Sequence, residues 1–116
     1  MGQRGGPQPR TFGLRRSALE KGFGGEVTVE LFGVPRLVAG RKVVALSLGD
    51  GADLGDVVVG LANVCPALVG KAIKEDLSGP MDGYVLNMNG FSFVDRLDTP
   101  VRAGDAVLLL SDQAGG

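Results

Sequence analysis

The apolar residues of this chain repeat with two different periods, and the order of those periods restricts the folds that it can adopt. Apolar and polar residues alternate over 26–32 and over 41–48, which predicts two strands with one buried face each. From Leu54 to Cys65 apolar residues recur at helical spacing, and Asp53 just before them suits a helix N-cap. Two strands and one amphipathic helix therefore form the first half of the predicted fold, with the Cys65 thiol buried in its core.

The second half of the chain returns to strand patterns. They fit residues 84–89, 91–93 and 106–110, whereas 33–40 is predicted to be a loop and 71–77 to form one or two helical turns. A hairpin, a crossing helix and a last strand that returns beside the first give an α+β fold, the β-grasp, with a mixed sheet of four to five strands. In that fold the C-terminal tail projects from a strand deep in the sheet.

Composition excludes several kinds of active site. The 116 residues include no histidine and a single cysteine, Cys65. Nucleophile pairs that use histidine, histidine-ligated metals, internal disulfides and cysteine-only zinc sites are therefore all ruled out. Carboxylates remain, but none forms an obvious catalytic pair. If the chain takes part in chemistry, we expect it to be a substrate or carrier and not an enzyme.

Charge is divided unevenly along the chain. Residues 1–25 carry a net charge of +4 and residues 26–116 one of −5. The first stretch is rich in glycine and lacks a sustained apolar period, so we predict a disordered extension, with a basic docking arm as the alternative, before one domain over 26–116. The acidic domain argues against nucleic acid as a partner. No apolar run reaches the roughly 18 residues of a membrane helix or looks like a secretory signal, so we expect no membrane partner and a cytoplasmic location.

A set of short motifs runs in order through the predicted domain. It consists of Leu31-Phe32-Gly33, an Arg36-containing loop closed by Ala39-Gly40, Asp53-Leu54, Cys65-Pro66-Ala67-Leu68, Val85-Leu86-Asn87-Met88-Asn89-Gly90, Asp98-Thr99-Pro100-Val101 with Gly104-Asp105, and Ala114-Gly115-Gly116. In this order and at this spacing, the set resembles the MoaD/ThiS group of ubiquitin-like sulfur carriers.

That resemblance implies a function and its partners. An adenylyltransferase of the ubiquitin-activating type would use ATP to adenylate the C-terminal Gly116, and a sulfur donor enzyme would supply the sulfur for a thiocarboxylate. The thiocarboxylate would pass sulfur to an acceptor enzyme such as the large subunit of molybdopterin synthase, and the carrier itself would bind no cofactor. The pathway stays open, because small subunits of that synthase often have prolines before the tail, where this chain has Ser111-Asp112-Gln113. The alternatives are a carrier for cysteine, thiamine or another sulfur metabolite, a protein modifier, and an interaction module without terminal chemistry.

The diglycine end, Gly115-Gly116, suits such chemistry for physical reasons. Glycine has no Cβ, so its backbone can enter a narrow cleft and adopt φ values that other residues avoid. Residues 113–116, when extended, reach roughly 13 Å, enough to carry a carboxylate into a partner's active site while the domain stays outside. We therefore predict a flexible tail in which Gly116 is the reactive group and Gly115 allows it to enter the cleft.

Strand alternation predicts where a partner docks. If every second residue of the last strand faces the helix, Leu108 and Leu110 face outward, and Phe32 likewise opposes the core face of the first strand. Exposed apolar residues on one sheet face suggest a partner site, to which Gln113 and Ala114 would add contacts from the tail. The alternative is that the irregular segment after the helix covers these side chains, or that they are tolerated singly.

We expect residues 1–25 to be dispensable. Their composition cannot bury enough apolar surface to offset the entropy lost on ordering. A chain that starts at Glu26 should therefore keep its melting temperature and its activation by the partner. Thermal melts of the full and shortened chains check this, and a fall of several degrees would show that the extension packs on the domain.

Overall fold

The computed structural model describes residues 25–112. Within them lie five strands, two α-helices and one short 3-10 helix. Their bounds are β1 Gly25–Leu31, α1 Val34–Ala39, β2 Val43–Leu48, α2 Leu54–Val64, the 3-10 helix Pro66–Leu68, β3 Tyr84–Met88, β4 Ser92–Val94 and β5 Ala106–Ser111. Residues 1–24, which make up nearly all of the predicted extension, lie outside the described residues, as do Gln113, Ala114, Gly115 and Gly116.

The five strands form one mixed sheet in the order β2-β1-β5-β3-β4. The hairpin β1–β2 is antiparallel, and β5 lies between β1, to which it runs parallel, and β3, to which it runs antiparallel. The predicted β-grasp fold, an α+β arrangement with a mixed sheet and one main helix, is therefore confirmed. The last strand lies in the middle of the sheet, as that fold requires.

The core lies on one side of the sheet, which we call the inner face. Alternate residues of the strands point into it, and the predicted parity of the first two strands and of the helix is confirmed. Its fully buried members include Val27, Val29, Leu31, Val44, Leu54, Val57, Leu68, Val107 and Leu109. Cys65 joins them as a buried free thiol, also as predicted.

Helix α2 begins with a reciprocal cap. The Asp56 N–H donates to the Asp53 carboxylate at 3.0 Å, and the Asp53 N–H donates to the Asp56 carboxylate at 3.0 Å. This satisfies two backbone donors that a helix start leaves free, and it places negative charge at the positive end of the helix dipole. The N-cap predicted at Asp53 is confirmed, and it fixes the helix that covers the inner face.

Asp53→Ala is expected to destabilise the domain. It removes the cap acceptor and should cost about 1 kcal/mol of unfolding free energy. In a domain of this size, that corresponds to a fall of roughly 4–8 °C in melting temperature. Asp82→Ala, which removes an exposed carboxylate outside the helix, is the matched control and should melt like the wild type. Equal melting temperatures for the two variants would contradict the role of the cap.

Two local predictions are wrong. The stretch 33–40 is not a loop, because Val34–Ala39 forms helix α1 with Pro35 in its first turn. A proline there costs no hydrogen bond, since the first amides of a helix have no partner within the helix. The stretch 71–77 forms bends and turns and no helical turn, with Ile73 buried and Leu77 at a φ of 61°.

Among residues 25–112, no helix combines the length and the hydropathy that crossing a membrane requires.

Candidate functional site

Strand β5 and the residue after it are paired with neighbouring backbone up to the start of the predicted tail. Ser111 is paired with Tyr84 of β3, and the Asp112 N–H donates to the Gly83 carbonyl at 2.9 Å. The predicted tail residues, 113–116, follow directly and lie outside the described residues. The structure therefore fixes the place from which the tail starts, at the end of the central strand.

The predicted parity of β5 is confirmed. Val107 is 0% exposed and Leu109 is 1% exposed, because both point into the core. Leu108 and Leu110 lie on the opposite, outer face of the sheet and are half-buried. The two leucines therefore stand where a partner could reach them.

Sequence reasoning missed three outer-face neighbours of these leucines. Across the ladder, Leu110 is paired with Val85 and Leu108 with Asn87, and Asn87 is paired in turn with Phe93. Phe93 is 69% exposed. The alternation of Val85 with buried Leu86 could have indicated the outward direction. Only the registers of β3 against β5 and of β4 against β3 show that the three residues are neighbours of the leucines.

A shallow groove lies on the outer face where the tail starts. Its volume is about 240 Å³. It is lined by Val85, Phe93, Leu110, Ser111 and Asp112. Apolar side chains from three strands thus meet beside the last described residue of the chain, where a partner protein could contact them.

Phe32 lies at the same end of the sheet, just beyond β1. Its N–H donates to the Leu109 carbonyl at 3.2 Å, and its side chain is half-buried. The Arg36 guanidinium carbon lies 5.6 Å from the centre of the Phe32 ring, and Arg36 Nε donates to the Leu31 carbonyl at 3.0 Å. Helix α1, which the sequence analysis did not predict, thus holds a cation against the predicted docking residue.

The segment after helix α2 packs on the inner face of the sheet. Leu68, Ala72 and Ile73 belong to the same buried cluster as the inner-face residues of the strands. Leu108 and Leu110 lie on the outer face. Of the alternatives that the sequence left open, coverage of these leucines by this segment is therefore the less favoured.

Two exposed carboxylates of the described residues have a lowered pKa. Hydrogen bonds from Arg96, at 3.0 and 2.8 Å, hold the pKa of Asp98 below its usual value, and hydrogen bonds from Ser78 do the same for the pKa of Asp76. Both carboxylates are exposed, lie in loops and stay ionised at neutral pH, so neither suits general acid catalysis. Within 25–112, moreover, no three histidine, cysteine or acidic side chains are grouped to hold a metal ion.

Solved structures provide the comparison with known proteins. Neither a protein-family model nor a curated protein sequence matches the chain. The crystal structure of SAMP1, small archaeal modifier protein 1, from Haloferax volcanii is 29% identical, with a TM-score of 0.67 over 79% of this chain and 100% of that one. A putative molybdopterin converting factor subunit 1 from Pyrococcus furiosus is 20% identical, with a TM-score of 0.61 over 76% and 98%. The Amycolatopsis orientalis BexX/CysO complex matches at 22% identity, with a TM-score of 0.61 over 78% and 99%.

The sheet order, the crossing helix and the tail that follows the central strand define a ubiquitin-like protein of the β-grasp class. Within that class, the structural matches confirm the resemblance that the sequence motifs indicate. This chain has the ubiquitin-like fold and is similar to proteins of the MoaD/ThiS type.

Proposed function

We propose that this protein is a sulfur carrier whose last residue, Gly116, is adenylated and then converted to a thiocarboxylate. The observation that carries the proposal is the position of β5. The strand is fixed in the centre of the sheet up to Asp112, so the four residues that follow start from one defined point beside the apolar groove. A partner that holds the groove thereby determines how far the terminal carboxylate extends.

The chemistry must come from the partners. A carboxylate is a poor electrophile, and ATP converts it to an acyl adenylate with release of pyrophosphate. When sulfide attacks the acyl carbon, a C–S bond forms, the bond to the phosphate oxygen breaks, AMP leaves with the electron pair and a proton goes to solvent. A persulfide donor gives an acyl disulfide instead, which a thiol must then reduce.

This proposal makes the protein a substrate of three enzymes and not itself a catalyst. They are a ubiquitin-activating-type adenylyltransferase, a sulfur donor enzyme and an acceptor, for which the large subunit of molybdopterin synthase is the first choice on the sequence motifs. ATP would bind to the activating partner and no cofactor to the carrier. All three enzymes would meet it in the cytoplasm.

Intact mass tests the proposed function. The protein is incubated with the activating enzyme from the same genome, ATP and a sulfur source, and each component is omitted in turn as a control. The proposal predicts a gain that corresponds to one oxygen replaced by sulfur, dependent on ATP. An unchanged mass in the complete mixture, while the enzyme activates a known substrate, would contradict it.

A protein modifier is the second candidate, and the likeness to small archaeal modifier protein 1 at 29% identity favours it. In that case lysine side chains of target proteins, and not sulfur, would attack the adenylated Gly116. The same incubation with a cell extract separates the two, because a modifier produces a ladder of conjugates to lysines.

A further inference from the structure

Asn87 lies at the centre of the outer face. Its chain neighbour Leu86 is 3% exposed and points into the core, so Asn87 points to the other side of the sheet. The ladder places it between Leu108 of β5 and Phe93 of β4. It is therefore a polar residue surrounded by the apolar side chains of the proposed docking surface.

The side chain of Asn87 is buried without a complete set of partners. The residue is 6% exposed, and its Oδ1 atom is buried without a hydrogen-bond partner. Among the buried side-chain polar atoms of residues 25–112, it is the one that lacks a partner. Such an atom has lost its hydrogen bonds to water and gained none in return, which is unfavourable and calls for an explanation.

The cross-strand neighbour of Asn87 on its open side is Phe93. Phe93 belongs to β4, a strand of three residues at the edge of the sheet that pairs only with β3. Phe93 is 69% exposed, so most of its surface makes no contact with the rest of the domain. A protein that docks on the outer face can therefore displace this ring and bring a donor to Oδ1.

Charge indicates what kind of donor fits. In the five strands the charged residues are Glu26 and Glu30, both on β1 and both on the outer face by alternation. Glu30 is paired with Leu108, which is paired on its other side with Asn87. Because neighbouring strands lie about 5 Å apart, Glu30 and Asn87 place two acceptors on either side of Leu108, and the negative charge of Glu30 favours a cationic donor in this region.

We propose that Asn87 Oδ1 accepts a hydrogen bond from an arginine or lysine of the activating enzyme, and that this bond helps to select the partner. The inference rests on the proposed function, because the outer face must dock on that enzyme for the tail to reach its active site. A buried acceptor that is satisfied only in the complex contributes to selectivity in two ways. The complex with the right partner gains a hydrogen bond, whereas a complex with an apolar surface leaves the acceptor unpaired and is therefore weaker.

Two substitutions at this position test the inference. Asn87→Leu keeps a similar shape and removes the acceptor, whereas Asn87→Asp keeps an acceptor and adds negative charge. The readout is ATP–pyrophosphate exchange by the adenylyltransferase from the same genome, with KM for the carrier measured well below the melting temperatures. We expect Asn87→Leu to raise KM roughly tenfold with little change in kcat, and Asn87→Asp to keep KM at or below the wild-type value.

Stability provides an independent readout. Asn87→Leu removes an unpaired buried oxygen, so it should raise the melting temperature by at least about 4 °C while it weakens binding. Thr28→Val is the matched control, a polar-to-apolar change on the outer face that lies away from the groove, where Thr28 is paired with Ala45 and with Ala106 at the start of β5. It should leave KM unchanged.

Each contrary result overturns the inference. A KM that is lowest for Asn87→Leu and highest for Asn87→Asp would mean that the face needs apolar contacts alone. An unchanged KM for Asn87→Leu, or a lower melting temperature, would mean that the amide has a purely structural role. Failure of the proposed function looks different, because the wild-type protein would then support no exchange, or exchange that does not depend on Gly116.

Discussion

Deleting Gly116, or extending the chain by one alanine beyond it, is expected to abolish adenylation while the domain melts like the wild type. Activation requires a free carboxylate at one distance from a docked domain, and one added residue moves it by about 3.5 Å. A misplacement of even about 1 Å can cost on the order of a hundredfold in rate. The buried core ends at Leu109, seven residues before Gly116, so the change leaves the core residues intact. The measurements are ATP–pyrophosphate exchange and a thermal melt.

The control for this test is an alanine added at the other end of the chain, which should leave exchange unchanged.

Gly115→Val extends the test without changing the length. A β-branched side chain should obstruct a cleft that accepts bare backbone, so exchange should fall as steeply as for the extended chain. Exchange at the wild-type rate by the extended protein would show that Gly116 is not the reactive group.

The sequence predicted the strands and helix α2 well because each has one buried face. Alternation along β1 and the apolar stripe of α2 follow directly from the need to hide one face from water. Helix α1 was not predicted because its six residues are too few to show a helical period, and because a proline such as Pro35 is typical of a loop as well as of a helix start. The conformation of residues 71–77 was not predicted for a different reason. Its apolar residues are fixed by contacts with the distant core, as buried Ile73 shows, and not by local helix formation.

The residues of the candidate site also differ in whether the sequence alone could predict them. Leu108 and Leu110 could be predicted, since their parity follows from that of their own strand. Asn87 and Phe93 could not, because they become neighbours of Leu108 only through the register of β3 against β5 and of β4 against β3. Local alternation makes Asn87 an ordinary exposed residue. Its burial is a property of three strands together.

The adjacent residues Leu109 and Leu110 give the clearest test of the two sheet faces. Leu109→Asp is expected to unfold the domain, because Leu109 is 1% exposed and the charge would enter the core. The loss of the side chain alone costs about 2–5 kcal/mol and the unpaired carboxylate adds to it, against a total stability of roughly 5–15 kcal/mol. Circular dichroism and a thermal melt measure the outcome.

Leu110→Asp, one residue further on, should instead stay folded and lose its partner. Leu110 is half-buried on the outer face opposite Val85, where a carboxylate can remain in water in the free protein. An interface would have to strip that water away, so KM for activation should rise by about a hundredfold or more. Leu108→Asp and Phe32→Asp are expected to act in the same direction, with a smaller effect for Phe32, which lies at the rim beyond β1. If Leu110→Asp unfolds while Leu109→Asp melts like the wild type, the two faces of β5 are assigned the wrong way round. If Leu110→Asp folds and is activated normally, the partner docks elsewhere.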